Sequence, residues 1–267
     1  MHTILVATDF SASAKNASEY AIDLAKHLHT SVELVHAFDV PFTFSDSGMQ
    51  YIDIEEIEKN TQESLVAEVE RLKELNPSVE VTFQSCIGRI IDCINDISSR
   101  IKPCLIVFGM SGENDSFLWG STAVTALRSF DVPVLIVPKN AKWAGVQHLC
   151  YAVNYQKVNE NTPFHYIKEW AKLFSGQLTV FNVHKVDEYA EPPANLKEAL
   201  KDMNPRYESW ESDNFEIGMQ NFLSANNFDW LVIIPQKHGF FDRLRHNSRS
   251  RQITKVSSIP VLSFYEK

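Results

Sequence analysis

The chain repeats itself. The stretch GSTAVTALRSFDVPVLIV (Gly120–Val137) lies against NSRSRQITKVSSIPVLSF (Asn247–Phe264) without a gap, and Ser121 and Ser248 each stand twelve residues before Pro133 and Pro260. The starts match as well. HTILVATDFSASAKNASEYAIDLAKHLHTSVELVHAF, from His2, is echoed by QHLCYAVNYQKVNENTPFHYIKEWAKLFSGQLTVFNVH, from Gln147. Each is an apolar strand, a polar break, a helix and a second apolar strand. The offset between the halves is 127 residues, the size of one compact domain. The boundary falls in PKNAKWAGVQ, Pro138–Gln147, which sets domains at residues 1–140 and 146–267.

Strands alternate with helices inside each half. In the first, residues 3–8, 32–38 and 79–85 read as strands. Residues 13–29, 53–75 and 89–101 carry apolar residues at helical spacing, as in Ala17, Tyr20, Ala21, Leu24 and Leu28. CLIVFG, a short helix from Ser121, and VPVLIV complete a β-α-β-α-β-α-β-α-β order, and the second half repeats it. Such alternation predicts an α/β fold: two tandem doubly wound sandwiches, each with a five-stranded parallel sheet. Ligands of such sheets bind beyond the carboxyl ends of the strands, where the strand order reverses. The apolar terminal strands VPVLIV and IPVLSF would be exposed edges if left alone. Their pairing within the chain predicts a pseudo-dimer of the two halves, and a homodimer is a further use of such edges.

The net charge of −9 in 267 residues opposes phosphate backbones, so nucleic acid is not an expected partner. No stretch is apolar and long enough to span a membrane, so no membrane association is expected. The four cysteines, Cys86, Cys93, Cys104 and Cys150, form no C-x-x-C pair and imply neither a zinc site nor a disulfide framework. Cys86, Cys93 and Cys104 stand in apolar contexts and read as buried and inert. A pattern without a disulfide framework favours a reducing compartment, and the location expected is cytoplasmic.

The glycine-bearing stretch VFGMSGENDSFLWGSTAV, Val107–Val124, holds Gly109, Gly112 and Gly120 between a strand and a helix start. Backbone N–H groups there, with the Ser121 and Thr122 hydroxyls, suit an anion. The other reading is a plain strand-to-helix turn, with Gly120 for the bend and Ser121 as the helix cap. A Walker loop is excluded, because G-K-[ST] is absent.

ILVATDFSASAKNASEYA, VELVHAF, LIVFGMSG and GSTAVTALRSFDVPVLIVP together resemble the universal stress protein family, over essentially all of both halves. The resemblance implies a G-x-x-G, a nine-residue spacer and G-[ST], which hold the phosphates and ribose of ATP in nucleotide-binding members. Carried over, Gly109, Gly112, Gly120, Ser121 and Thr122 face phosphate. Asp9 falls on the nucleoside-contacting carboxylate, with Ala7 and Thr8 beside the base. Ala37 falls on the adenine wall, and Ile87 and Gly88 flank it. Mg²⁺ accompanies the nucleotide. The spacer here holds seven residues, ENDSFLW, and Glu113 and Asp115 add carboxylates that repel phosphate unless Mg²⁺ intervenes. The implied function is regulatory adenine-nucleotide binding in the first half with little or no catalysis, at most slow ATP hydrolysis. An interaction scaffold with both pockets empty is the alternative. A substrate-activating ATP enzyme lacks its S-G-G-x-D-S loop here. In the second half Pro235 stands for Gly109, Gly239 for Gly112, Asn247 for Gly120 and Asn154 for Asp9, so this half reads as a degenerate partner.

The remaining clusters read as structural. His27 and His29 point apart on a helix, and His36 ends a strand. WESDNFE reads as a cap and a turn. Asp9 itself could serve as a cap for the first helix with Ser11 and Ser13. Lys237–Arg251 reads either as a site for an anion or acidic partner or as a solvated face, with Phe240 and Phe241 as anchors.

Overall fold

A computed structural model describes residues 3–39, 44–45, 48–49, 54–110, 121–160, 162–186, 191–235 and 259–264. The first half runs β1 (Thr3–Ala7), α1 (Ala12–Leu28), β2 (Ser31–Phe38), a small pair β3 (Phe44–Ser45) and β4 (Gly48–Met49), α2 (Ile54–Leu75), β5 (Val81–Ile87), α3 (Ile90–Ile101), β6 (Leu105–Met110), α4 (Ser121–Ala126) and β7 (Val134–Pro138). The second runs β8 (His148–Ala152), α5 (Phe164–Phe174), β9 (Gln177–His184), α6 (Ala194–Leu200), β10 (Arg206–Glu211), α7 (Phe215–Ala225), β11 (Trp230–Ile233) and β12 (Val261–Ser263).

These strands form one ten-stranded sheet in the order β10-β9-β8-β11-β12-β7-β6-β1-β2-β5. Each half contributes five parallel strands in the same internal order. The two half-sheets meet at β12 and β7, which pair antiparallel, Leu262 opposite Leu135. The two sandwiches therefore share a continuous sheet, and the apolar terminal strands VPVLIV and IPVLSF close each other's edges.

Strands in the middle of such a sheet are covered on both faces, so they read as unbroken apolar runs. Along β1, Ile4 and Val6 pack into one layer with Tyr20, Leu24 and Leu34, while Leu5 and Ala7 pack into the other with Ile94, Ile106 and Phe130. Both layers continue across the joint. Trp230 of β11 donates its indole N–H to the hydroxyl of Tyr20 on α1 over 2.7 Å, and Ser263 donates to the Leu127 carbonyl over 3.2 Å. Burial holds the Tyr20 phenol above its ordinary pKa, so it stays a neutral acceptor for Trp230. Asn16 donates to the carbonyls of Pro138 and Ala141, both at 2.9 Å, which ties α1 to the segment leaving β7.

The cysteines do not all match the sequence expectation. Cys86 near the end of β5 and Cys93 in the first turns of α3 are joined by a disulfide, with Cα atoms 6.3 Å apart. Seven residues of spacing hide this, because only the strand-to-helix turn folds the two positions back within bonding range. A bonded Cys86–Cys93 pair is no sign of a reducing compartment, contrary to the sequence expectation. Cys104 and Cys150 are free. WESDNFE does cap a helix: Asn214 accepts from the Ile217 N–H at 3.1 Å. The segment Lys237–Arg251, with Phe240 and Phe241, lies outside the described residues.

Candidate functional site

β1 pairs with β2 on one side and with β6 on the other, so the strand order reverses at β1. At the carboxyl ends of these strands lies a cleft of about 520 Å³. That volume falls within the range of small-ligand sites, and its position is the one predicted for this topology.

The floor of the cleft follows from a tight turn. Thr8 Oγ1 accepts the Phe10 N–H at 3.1 Å, and Asp9 Oδ1 accepts the Ser11 N–H at 3.0 Å. Ser11 then caps α1 by accepting the Ala14 N–H at 3.2 Å. Phe10 is forced to φ 62°, a left-handed conformation that side chains disfavour. Its ring lies 4.6 Å from that of His36, whose Nδ1 is 2.7 Å from the Thr8 carbonyl. The turn is thus braced from β2, and only four residues separate β1 from α1. Ser13 and Ala14 of the first turn of α1 consequently line the cleft beside Ala7, Thr8 and Asp9.

Two glycines have separate physical reasons. A Cβ on Gly109 would lie 2.5 Å from the Ser13 carbonyl oxygen and 2.9 Å from the Ala14 nitrogen, so β6 and α1 approach this closely only with glycine there. Gly88 has φ +115° and donates its N–H to the Phe38 carbonyl at 2.9 Å, turning the chain from β5 into α3.

Of the residues the sequence singles out, Ala7, Thr8, Asp9, Ala37, Gly88, Gly109 and Thr122 come together on this cleft. Ile87 does not line it. As the last residue of the sheet's edge strand it is 61% exposed, and the wall is made by its neighbour Gly88. Ser121 begins α4. Gly112 and Gly120, with Glu113 and Asp115, lie outside the described residues. Asp39, Arg89, Ile90, Ile91, Phe108, Ala123 and Thr125 also line the cleft and were not foreseen. Arg89 was legible in part, since it follows Gly88 directly. Its guanidinium bonds Asp92 at 2.8 Å, which holds it above its ordinary pKa. The cleft thus offers two carboxylates, one guanidinium and an apolar wall from Ile90, Ile91 and Phe108. His36 is engaged with backbone, and His27 stacks on Phe174 at 5.6 Å. Among the described residues no group of three or more His, Cys, Asp or Glu side chains is placed to hold a metal.

The sequence profile of the universal stress protein family matches residues 1–138, just over half of the chain. The chain belongs to the universal stress protein family. A comparison with curated proteins finds no match. Solved structures share its fold. A universal stress protein from Archaeoglobus fulgidus DSM 4304 is 18% identical, with TM-score 0.69 over 99% of this chain and 96% of its own. A functionally unknown protein from Pseudomonas aeruginosa PAO1 is 13% identical, with TM-score 0.60 over 100% and 93%.

The second half of this universal stress protein can be compared position by position through the strand register. Leu5 pairs with Ile106 and Glu33, as Cys150 pairs with Leu231 and Thr179. This sets Val153 at the place of Thr8, Asn154 at Asp9, Val183 at Ala37 and Ser212 at Gly88. It sets Ile234 at Gly109, which corrects the sequence comparison by one residue: Pro235 corresponds to Met110. The error arises because apolar runs slide against each other without an obvious penalty in sequence, whereas hydrogen-bonded register admits one answer. Ile234 packs against the core of its layer. Eleven residues connect β8 to α5, with a short 3-10 turn at Tyr155–Lys157 among them, where α1 follows β1 after four. Helix α7 instead packs on Val183, where a Cβ on Gly218 would lie 2.8 Å from the Val183 Cγ1.

Proposed function

We propose that the first half binds an adenine nucleotide in the cleft at the ends of β1, β2 and β6, and that the second half has no such site. The observation that carries this reading is the lining at the strand-order switch. Ala37, Gly88 and Gly109 leave room at strand ends where the second half carries Val183, Ser212 and Ile234.

Roles follow from the chemistry. Asp9 spends one acceptor position on Ser11, and a carboxylate has several more for ribose hydroxyls. Ile90, Ile91 and Phe108 offer apolar contact to a flat base. Ser13 and Thr122 stand where helices begin, the end of a helix that favours phosphate. Mg²⁺ would come with the nucleotide and neutralise charge near Asp9 and Asp39, since this ion takes few protein ligands and keeps its phosphate oxygens. The role that follows is regulatory binding in a stress-response protein, with at most slow hydrolysis of the nucleotide.

Calorimetric titration with ATP and Mg²⁺ tests this. One site per chain is expected, and Ser121→Ala with Thr122→Ala should weaken it at least about tenfold by removing two hydroxyl contacts to a charged ligand. Two equal sites, or no binding of any nucleotide at millimolar concentration, sinks the reading. In the latter case the fold serves as an interaction scaffold with both pockets empty.

A further inference from the structure

The Cys86–Cys93 bond brackets the segment that makes one wall of the cleft. Gly88, Arg89, Ile90 and Ile91, all between the two cysteines, line it. Besides the bond, that wall is held by the Gly88 N–H on the Phe38 carbonyl, the Arg89–Asp92 pair within the same turn, and the packing of Ile90 and Ile91. Arg89 occupies the cap position of α3 and makes no side-chain cap, and Gly88 stands in a conformation with the freest backbone. Ile87 and Arg89 are exposed, so the bond lies beneath a solvent-facing turn and is within reach of a reductant. Cys86 is the half-buried partner and Cys93 the buried one, at 8% exposure.

We infer that Cys86–Cys93 is a reversible redox clasp: the bonded form holds the cleft wall for ligand, and the dithiol form loosens it. The reductant is an external dithiol. Its thiolate attacks the more accessible Cys86 sulfur, the Cys93 thiolate leaves, and the second thiol of the reagent releases Cys86. The S–S bond takes up two electrons and two protons, and the reagent departs as a disulfide. A disulfide oxidant reverses the exchange. Once reduced, the Cys86 thiol has an acceptor at hand, the His36 carbonyl oxygen 3.8 Å from its sulfur. The effect on ligand rests on the nucleotide reading above, while the effect on the wall does not.

Two measurements keep these apart. Amide hydrogen exchange of the full chain, oxidised and then reduced by dithiothreitol, reads the wall directly. Faster exchange in the first turns of α3 after reduction, with α5 and α7 unchanged, is expected, and unchanged exchange in α3 overturns the clasp. Thiol trapping with peptide mapping must show Cys86 and Cys93 protected before reduction and labelled after it; labelling of both in the protein oxidised by glutathione disulfide overturns it as well. ATP titration then reads the coupling. The oxidised form should bind about fivefold or more tightly than the reduced form. The double variant Cys86→Ser, Cys93→Ser should bind as the reduced form does and ignore dithiothreitol. By reciprocity, saturating ATP should lower the midpoint potential of the pair by about 20 mV for a fivefold coupling. Equal affinity in both redox forms overturns control of ligand. If neither form binds ATP, the nucleotide reading fails and the clasp stands or falls on the exchange data.

Discussion

Half one and half two are built on one plan and differ at one end of it. Strand order and register agree, and one side-chain bond of the turn after the first strand is kept, although Phe10 is left-handed and the matching Tyr155 opens a short 3-10 turn. Asp9 accepts the N–H two residues on at 3.0 Å, and Asn154 does the same at 2.9 Å. Thr8 and Val153 donate their N–H groups to the matching carbonyls of Val35 and Phe181, both at 2.9 Å. The difference lies in side-chain volume and in where the next helix starts. Half one keeps glycine or alanine at the strand ends and brings α1 in at once. Half two carries Val183, Ser212 and Ile234 and delays α5. The sheet is held by backbone pairing and buried strands, which both halves share, whereas a cleft depends on a few small residues at the strand ends, which they do not.

The largest expected effect is at Gly109. A methyl group there meets backbone atoms of Ser13 and Ala14, which cannot swing aside as a side chain would. Gly109→Ala should cost about 3 kcal/mol in urea unfolding, the upper part of the usual range for overpacking, and should displace α1 and abolish nucleotide binding. Ile234→Ala, the matched change in half two, creates no such clash and should leave binding as it was. If Gly109→Ala is neutral in stability, the close approach of β6 and α1 is wrong.

Next comes Ala37→Val, which writes the residue of half two into half one. Valine suits a strand, so stability should change by less than about 0.5 kcal/mol. The cleft loses volume where the adenine wall is placed, and ATP affinity should fall about tenfold. The reverse change, Val183→Ala, should create no site, because Ile234 and Ser212 remain. A binding site opened by Val183→Ala alone would show that one residue, not the set, separates the halves.

Much of this was legible before any coordinates. The gapless repeat fixes two units, the alternation of apolar strands and helices fixes a parallel sheet, and the edge problem of VPVLIV and IPVLSF foretells their pairing. Ala7, Thr8, Asp9, Ala37, Gly88, Gly109 and Thr122 meet on one cleft because strand ends meet there in any sheet of this order. What stayed hidden depends on distances between segments remote in sequence. Gly109 reads as a phosphate glycine, but contact with the Ser13 carbonyl already requires it. Ile87 and Gly88 differ by one step along an edge strand, and only one makes the wall. Arg89 and the Cys86–Cys93 bond come from the shape of a single turn. The slip from Ile234 to Pro235 comes from matching apolar runs by type and not by hydrogen bonds.

The smallest effect on stability, and the finest test of the comparison, is Asp9→Asn. Asn154 shows that an asparagine side chain accepts the N–H two residues on as Asp9 does, so the variant should fold with a stability within about 0.5 kcal/mol of the parent. The loss is confined to charge. A carboxylate accepts hydrogen bonds roughly twice as strongly as a neutral amide oxygen, so contact with ribose hydroxyls should weaken by about 1 kcal/mol, several-fold in affinity. Asp9→Ala removes turn and acceptor together and should cost about 1 kcal/mol in stability besides a larger loss of binding. Asn154→Asp restores the charge in half two without opening its walls, and should bind nothing. Calorimetry on the three variants orders them: Asp9→Ala below Asp9→Asn, and Asn154→Asp indistinguishable from the parent. If Asp9→Asn binds as the parent does while Asp9→Ala fails, the turn and not the carboxylate charge matters, and the substitution at 154 has no part in what separates the halves.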